Sequence, residues 1–171
     1  MDTDAHGLDG HKRTSRTQKV GRVSPPRAAW TAPAPAPTAA KAGGTDPLQG
    51  WKARSCDAVV KDGIVTMTGK GAAPFLGVGA GVSGPATVKF RARSAAGGAG
   101  KIEWLPAATA AADATSLPFT LAPGDWQEIT VSIPATGPLG MLRLYLPAET
   151  QPVAVDWVEL KAGEQLQRWE F

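Results

Sequence analysis

The sequence predicts an all-β domain, a sandwich or jelly roll, at residues 46–171, with a disordered basic tail at residues 1–45. Short segments alternate apolar with polar residues, as strands with one buried face do. Gly, Pro and Ala fill the connections at the spacing expected of about eight short strands. No segment has the pattern of a convincing amphipathic helix. These observations favour two packed sheets over any mixed α/β fold.

The charge of the chain divides it at about residue 45. Residues 1–45 carry seven Lys or Arg and three Asp, a net charge of +4, whereas residues 46–171 carry eleven basic and twelve acidic residues, a net charge of −1. The basic character of the chain therefore belongs to the tail, and nucleic-acid binding is not predicted for the folded part.

The Pro/Ala segment at residues 31–37 fixes φ at every second residue and has the composition of a linker. Linkers join folded bodies, so we expect this chain to be the C-terminal portion of a longer protein or a module separated from its N-terminal neighbour. No segment has membrane-spanning length, and Met1 begins an acidic stretch rather than a signal peptide. Localisation therefore stays unknown from the sequence.

The first strands form a hairpin. Residues 58–60 and 64–68 alternate around Lys61, Asp62 and Gly63, and Asp-Gly supplies the positive φ that a tight turn needs. The Gly-rich residues 77–81 lack the spacing and the following helix of a phosphate-binding loop.

The remaining strands follow in order. Residues 88–92 and 101–105 make two alternating strands, and residues 117–121 make a short one that ends at Pro123. We expect a loop at residues 107–114. Three more strands are predicted at 128–133, 142–146 and 153–160, each alternating apolar with polar side chains.

Catalytic machinery is missing from the predicted sandwich. Both histidines, His6 and His11, lie in the tail, so a Ser-His-Asp or Cys-His mechanism is not predicted. Cys56 stands beside Asp57, and a negative neighbour raises a thiol pKa, so we interpret this cysteine as structural. No metal site and no cofactor are predicted.

Paired carboxylates are the remaining route to an enzyme, since two of them can hydrolyse a glycoside. The available residues lie in turns or on the polar side of strands, where solvent exposure explains them: Asp125, Glu128, Asp156 and Glu159. We therefore predict no catalytic residue in this chain.

Six tryptophans raise the question of carbohydrate binding, because sugar rings stack on flat aromatic surfaces. Core or edge packing explains Trp126 and Trp157 better than ligand contact does. Trp104 stands at a strand end, where core packing and a place on a loop rim are equally favoured. Trp51 and Trp169 lie near the two ends of the domain, and we expect them to clamp its first and last strands together.

Basic side chains on the polar side of two strands form a second candidate site. Alternation points Lys89, Arg91 and Arg93 to one face, and it does the same for Arg143 and Tyr145 on a later strand. If the two strands are neighbours, a basic patch results, suited to sulfate, carboxylate or phosphate oxygens. The alternative is a solvated face whose charges are partly balanced by Glu103 or Glu128. With Trp104, these residues are the candidate ligand-binding residues.

Several motifs carry a family resemblance. They are Trp51-Lys52-Ala53-Arg54-Ser55-Cys56, Pro74-Phe75-Leu76-Gly77, Lys101-Ile102-Glu103-Trp104, Gly124-Asp125-Trp126-Gln127-Glu128, Gly137-Pro138-Leu139-Gly140, Val155-Asp156-Trp157-Val158-Glu159-Leu160 and Gln167-Arg168-Trp169-Glu170-Phe171. Together they make residues 46–171 similar to the C-terminal accessory domain of bacterial arylsulfatase-type sulfatases, notably planctomycete ones. The resemblance implies a galactose-binding-like, carbohydrate-module-like jelly roll, and a periplasmic or extracellular location.

The sulfatase chemistry itself is absent from these residues. The family's formylglycine arises in a Cys/Ser-x-Pro-x-Arg motif, but Cys56 is followed by Asp57-Ala58-Val59-Val60. In Ser24-Pro25-Pro26-Arg27 the arginine comes one position early. The family's metal ligands are missing too, and the chain has no Asn. Any sulfuric ester hydrolase activity would belong to the parent architecture only.

Two hypotheses follow for the folded part. The first is a non-catalytic domain that binds carbohydrate, with sulfated polysaccharide as a candidate ligand. The second is a structural module that packs against a sulfatase catalytic domain. An open concave face that brings Trp104 together with Arg91 and Arg143 would favour binding, and a flat apolar patch would favour docking.

Overall fold

The computed structural model describes residues 46–107, 114–149 and 151–171. The predicted tail at 1–45 and most of the loop expected at 107–114 lie outside these residues. The described residues form eleven strands, which are β1 (Lys52–Arg54), β2 (Cys56–Lys61), β3 (Ile64–Gly69), β4 (Phe75–Ser83), β5 (Ala86–Ser94), β6 (Gly98–Pro106), β7 (Thr115–Leu121), β8 (Gln127–Ile133), β9 (Pro138–Tyr145), β10 (Val153–Ala162) and β11 (Gln165–Glu170).

The strands pair into two antiparallel sheets, so the predicted all-β sandwich is confirmed. One sheet has five strands in the order β1-β4-β9-β6-β7. The other has six, with the order β2-β3-β10-β5-β8 and with β11 paired to β10. Within the described part of the chain, no helix is long and apolar enough to cross a membrane.

The predicted number of about eight strands is too low, because β1, β4 and β11 were not recognised. β1 has only three residues, and β11 alternates weakly. β4 contains the Gly-rich residues 77–81, in which glycine hides the polar half of the alternation. Residues 77–81 are therefore part of a strand and not a phosphate-binding loop.

The β2–β3 hairpin has the turn that its sequence predicts. Asp62 has φ 52° and Gly63 has φ 78°, so both central residues adopt the left-handed conformation. Met67 and Val65 on β3 point inward and are fully buried, as the alternation requires.

The core lies between the two inner faces and is built from the alternating apolar residues of nine or more strands. Trp51, just before β1, and Trp169 on β11 close one side of it, with ring centroids 5.3 Å apart and planes at 76°. Beside them the side-chain amide of Gln49 donates to the carbonyl of Glu170. The expected clamp between the first and last strands is confirmed.

A register shift in β10 moves one tryptophan out of the core. The pairing with β5 is irregular between Val155 and Trp157, so Val155 and Val158 both point inward while Trp157 points outward. Trp157 is only 8% exposed. It is packed, as predicted, but against charged side chains of the outer face.

Candidate functional site

The predicted single basic patch does not exist, because its two strands belong to different sheets. β5, with Lys89, Arg91 and Arg93, lies in the six-stranded sheet, whereas β9, with Arg143 and Tyr145, lies in the five-stranded sheet. Each set points away from the core, as predicted. The two sets therefore lie on opposite outer faces of the sandwich.

Of the two positions equally favoured for Trp104, the structure shows core packing, so its inclusion among the ligand-binding residues is wrong. Trp104 is 5% exposed and belongs to the core. It pairs with Leu142 and shares the inward side of β6 with Ile102, two residues earlier. Its indole ring therefore does not join any charged surface.

The outer face of the five-stranded sheet carries two ordered rows of side chains, which the strand register defines. What we call the charged row crosses the five strands in the order Lys52, Gly77, Arg143, Glu103 and Ser116. What we call the aromatic row runs beside it in the order Arg54, Phe75, Tyr145, Lys101 and Pro118. Neighbouring strands lie about 4.8 Å apart, so each row spans roughly 19 Å.

Glu103 is the centre of the charged row. Its Oε1 accepts hydrogen bonds from Arg143 Nη1 at 2.7 Å and from the Tyr145 hydroxyl at 3.2 Å. Its Oε2 accepts one from Lys101 Nζ at 2.9 Å. Burial of this residue, which is 8% exposed, disfavours the charged form, but the hydrogen bonds from Lys101, Arg143 and Tyr145 lower the pKa of Glu103 below its ordinary value. The same contacts raise the pKa of Arg143, chiefly through its bond to Glu103.

The aromatic row is held by stacking and cation–π contacts. Phe75 and Tyr145 pair with ring centroids 4.8 Å apart and an angle of 37° between their planes. Lys101 Nζ lies 4.3 Å from the Tyr145 ring centroid, and the Arg143 guanidinium lies 5.3 Å from that of Phe75. Each ring is therefore flanked by a cation from one of the two rows.

Two depressions flank these rows. One has a volume of about 520 Å³ and lies beside Tyr145, Lys101, Gly98 and Pro147. The other has a volume of about 270 Å³ and lies beside Phe75 and Arg143, towards β1. Residues of the two rows therefore line both depressions on this face of the sheet.

The opposite outer face is a network of paired charges. Lys89 Nζ lies 2.5 Å from the Glu128 carboxylate, and Arg91 Nη1 lies 2.8 Å from that of Asp156. The Lys89 ion pair lowers the pKa of Glu128. The alternative prediction was that Glu103 or Glu128 partly balances the basic charges, and it is confirmed. Glu128 pairs with Lys89 on this face, and Glu103 pairs with Arg143 on the other face.

Both outward tryptophans of that network are covered by cations. Arg91 and Arg93 lie 5.2 Å and 4.7 Å from the ring centroid of Trp126. Arg168 lies 4.4 Å and Lys89 Nζ lies 5.5 Å from that of Trp157. These indole faces are therefore occupied by the domain's own side chains.

Three of the four carboxylates considered for glycoside hydrolysis are also engaged, and the fourth, Asp125, is exposed. Glu128 and Asp156 are paired as above, and Glu159 lies 3.4 Å from Arg168. Among the residues that the structure describes, no three His, Cys, Asp or Glu side chains are grouped to hold a metal ion. Burial raises the pKa of the Cys56 thiol, with a further contribution from Asp57, in the direction that the sequence predicts.

The sequence interpretation missed Lys52, Phe75 and Lys101 as members of the outer face of the five-stranded sheet. Lys101 and Glu103 stood on a predicted strand, and their alternation could have marked them as residues of its outward side. Phe75 and Lys52 stood on strands that were not recognised. Strand order, which brings β4, β6 and β9 together, is not visible in the sequence.

Comparisons with known proteins show likeness in architecture only. No family model and no curated protein matches the sequence. A family 29 carbohydrate-binding module is 12% identical, with a TM-score of 0.48 over 62% of this chain and 74% of that one. The apo structure of BiXyn10A CBM1 is 12% identical, with a TM-score of 0.46 over 66% and 92%. The structure of PfGH50B has a TM-score of 0.52 at 4% identity, over 68% of this chain and 23% of that one.

Proposed function

We propose that this β-sandwich is a non-catalytic accessory domain that binds a polysaccharide along the outer face of its five-stranded sheet. The observation that carries the proposal is the pair of parallel rows, which places planar rings and charged hydrogen-bonding groups side by side across the strands. The fold likeness to carbohydrate-binding modules shows architecture alone, so the argument rests on these side chains.

The chemistry of the rows suits a sugar chain. Sugar hydroxyl groups need donors and acceptors in fixed positions, and charged groups make the stronger hydrogen bonds. Glu103 and Arg143 hold each other in place, so the Arg143 guanidinium is already oriented before a ligand arrives. Tyr145 is half-buried and adds a ring edge and a hydroxyl at the border of the larger depression.

We extend the proposal to anionic polysaccharides, including sulfated ones. The two rows contain four basic residues and one acidic residue: Lys52, Arg54, Lys101 and Arg143 against Glu103. Guanidinium and ammonium groups bind sulfate and carboxylate oxygens well. Attachment to a sulfatase, which the sequence resemblance implies, would give such binding a use in holding a sulfated substrate.

The second hypothesis, docking on a catalytic domain, has less support. In the described residues, the exposed large hydrophobic side chains are Val59 on β2, 61% exposed, and Met141 on β9, 41% exposed. They belong to different sheets, so they do not form one apolar patch. A stable docking surface normally needs a contiguous apolar core.

The test is binding of the full chain to a panel of soluble polysaccharides by affinity gel electrophoresis and calorimetry. The panel contains hydroxyethyl cellulose, galactomannan, xyloglucan, agarose, and κ-carrageenan as the sulfated member. Tyr145→Ala removes a ring and a hydroxyl from the aromatic row and should weaken binding about ten-fold. Trp126→Ala is the matched control on the opposite face and should bind like the parent.

Two results would overturn the proposal. One is a full chain that binds no member of the panel, which would favour the docking hypothesis. The other is binding that survives in Tyr145→Ala and is lost in Trp126→Ala, which would place the site on the six-stranded sheet.

A further inference from the structure

The smaller depression on the outer face of the five-stranded sheet is surrounded by positive charge. Its volume is about 270 Å³, and its lining includes three basic residues, Lys52, Arg54 and Arg143, and no carboxylate. A water molecule occupies about 30 Å³ of liquid volume, so a sulfate group and part of a sugar ring fit this space. The larger depression, by contrast, is lined by one basic residue, Lys101, and one carboxylate, Glu149.

Each of the three cations retains donors for a ligand. Lys52 is 70% exposed and lies 3.6 Å from Asp46, a loose pair that leaves its ammonium hydrated. Within the described residues, Arg54 has no ion pair. Arg143 gives Nη1 to Glu103, and its buried Nε has no hydrogen-bond acceptor. Because this Nε is covered, a ligand oxygen would meet the terminal nitrogens of the guanidinium, whose side chain is 22% exposed.

Glycines keep the floor of the depression low. Gly77 stands in the charged row between Lys52 and Arg143, and a Cβ there would approach the Phe75 ring at 3.3 Å. Gly79, two residues along the same outward side, has open space above it, with the nearest atom 4.0 Å from a Cβ. A ligand can therefore approach the backbone of β4 between the basic side chains.

We propose that this depression is a subsite for one anionic substituent of the polysaccharide, a sulfate ester or a carboxylate, held by Lys52, Arg54 and Arg143. The proposal rests on the proposed function for the source of its ligand, since it assigns the substituent and not the sugar chain. Arg54 and Lys52 supply charge at the rim, and Arg143, fixed by Glu103, supplies directed donors at the floor.

The first experiment tests the subsite without any sugar. The full chain is titrated with sodium sulfate and, separately, with sodium acetate at constant ionic strength, and the arginine Nε–H signals are followed by nuclear magnetic resonance. A saturable shift of the Arg143 signal is expected with at least one of the two anions. Equal shifts of all arginine signals, or no shift, would overturn the proposal.

Variants distinguish a specific anion site from general electrostatic attraction. Lys52→Gln with Arg54→Gln should weaken anion binding about ten-fold or more. Lys61→Gln with Arg93→Gln removes the same charge from the other sheet and should have little effect. Gly79→Leu fills the floor without changing charge and should also weaken anion binding. If both double variants weaken binding equally, the attraction is nonspecific and the subsite is excluded.

The second experiment uses polymers with one backbone, namely hydroxyethyl cellulose, carboxymethyl cellulose and cellulose sulfate. Preference for the sulfated or the carboxymethylated polymer, lost in Lys52→Gln with Arg54→Gln, identifies which anion the subsite takes. Equal binding of all three, unchanged in that variant, overturns the subsite while the proposed function stands. Saturable sulfate binding without binding to any polysaccharide supports the subsite and overturns the proposed function.

Discussion

Glu103 on β6 and Arg143 on β9 are paired residues on the outer face of the five-stranded sheet. The Glu103 carboxylate accepts a hydrogen bond of 2.7 Å from the Arg143 guanidinium. The pair is largely covered, with side-chain exposures of 11% and 22%. The ion pairs on the other sheet are more exposed, at 40% and 52% for Lys89 and Glu128 and 41% and 31% for Arg91 and Asp156. The pairing with Glu103 fixes Arg143, a member of the charged row, in the lining of the smaller depression.

Glu103→Gln should lower the free energy of unfolding by about 2 kcal/mol. The variant keeps the shape of the side chain but loses the charge that Arg143 and Lys101 contact, and hydrogen bonds to charged groups contribute about 1.5 to 3 kcal/mol. Urea denaturation measures the change. Glu164→Gln, at an exposed turn, is the control and should change stability by less than about 0.5 kcal/mol. Equal effects of the two variants would contradict a central role for Glu103.

The contribution of Glu103 should depend on pH. Because the folded state lowers the pKa of this carboxyl, its contribution is complete above the unfolded pKa, about 4.3, and is lost as the pH falls through the lower folded pKa. The stability difference between the parent and Glu103→Gln should therefore shrink from about pH 5 downward. Denaturation at several pH values from 2.5 to 7 measures it. A difference that stays constant over this range would rule out the pKa shift.

Trp169→Ala should cost about 3 to 5 kcal/mol, as large-to-small changes in a core do. The ring is 9% exposed and packs on Trp51. Trp126→Ala, on the outer face under Arg91 and Arg93, should cost only about 1 kcal/mol. Thermal and urea unfolding of both variants compare them, and a reversed order would mean that the clamp is not a stabilising contact.

Gly100→Ala should destabilise the fold by about 1 to 3 kcal/mol, because the new Cβ would lie 2.6 Å from the Tyr145 carbonyl oxygen and against the Phe119 ring. Gly137→Ala has no atom within 4 Å of the new Cβ and is the matched control. Circular dichroism melts of the two variants show the difference. Equal melting temperatures would indicate that the sheet adjusts at this point.

The sequence predicted the sandwich because alternation is a local property of each strand. The inward and outward sides of β5 and β9 could be assigned from Phe90 or Leu144 alone. Which strands are neighbours depends on pairing over long distances, so the assignment of Arg91 and Arg143 to one patch failed. The burial of Trp104 could not be decided for a different reason, because the sequence at a strand end does not show whether the other sheet covers that residue.

The contact between the two ends of the β-sandwich has a consequence for how this domain reaches its native state. Gln49 and Glu170 are hydrogen-bonded although they are 121 positions apart. Residues at that separation meet late, because closing so large a loop costs chain entropy before any contact repays it. During synthesis Trp51 cannot contact Trp169 until β11 has left the ribosome. Removal of β11 would thus leave the edge of β10 exposed along that pairing. A circular permutant that joins Phe171 to Asp46 brings Gln49 and Glu170 close in sequence and should speed the formation of their contact.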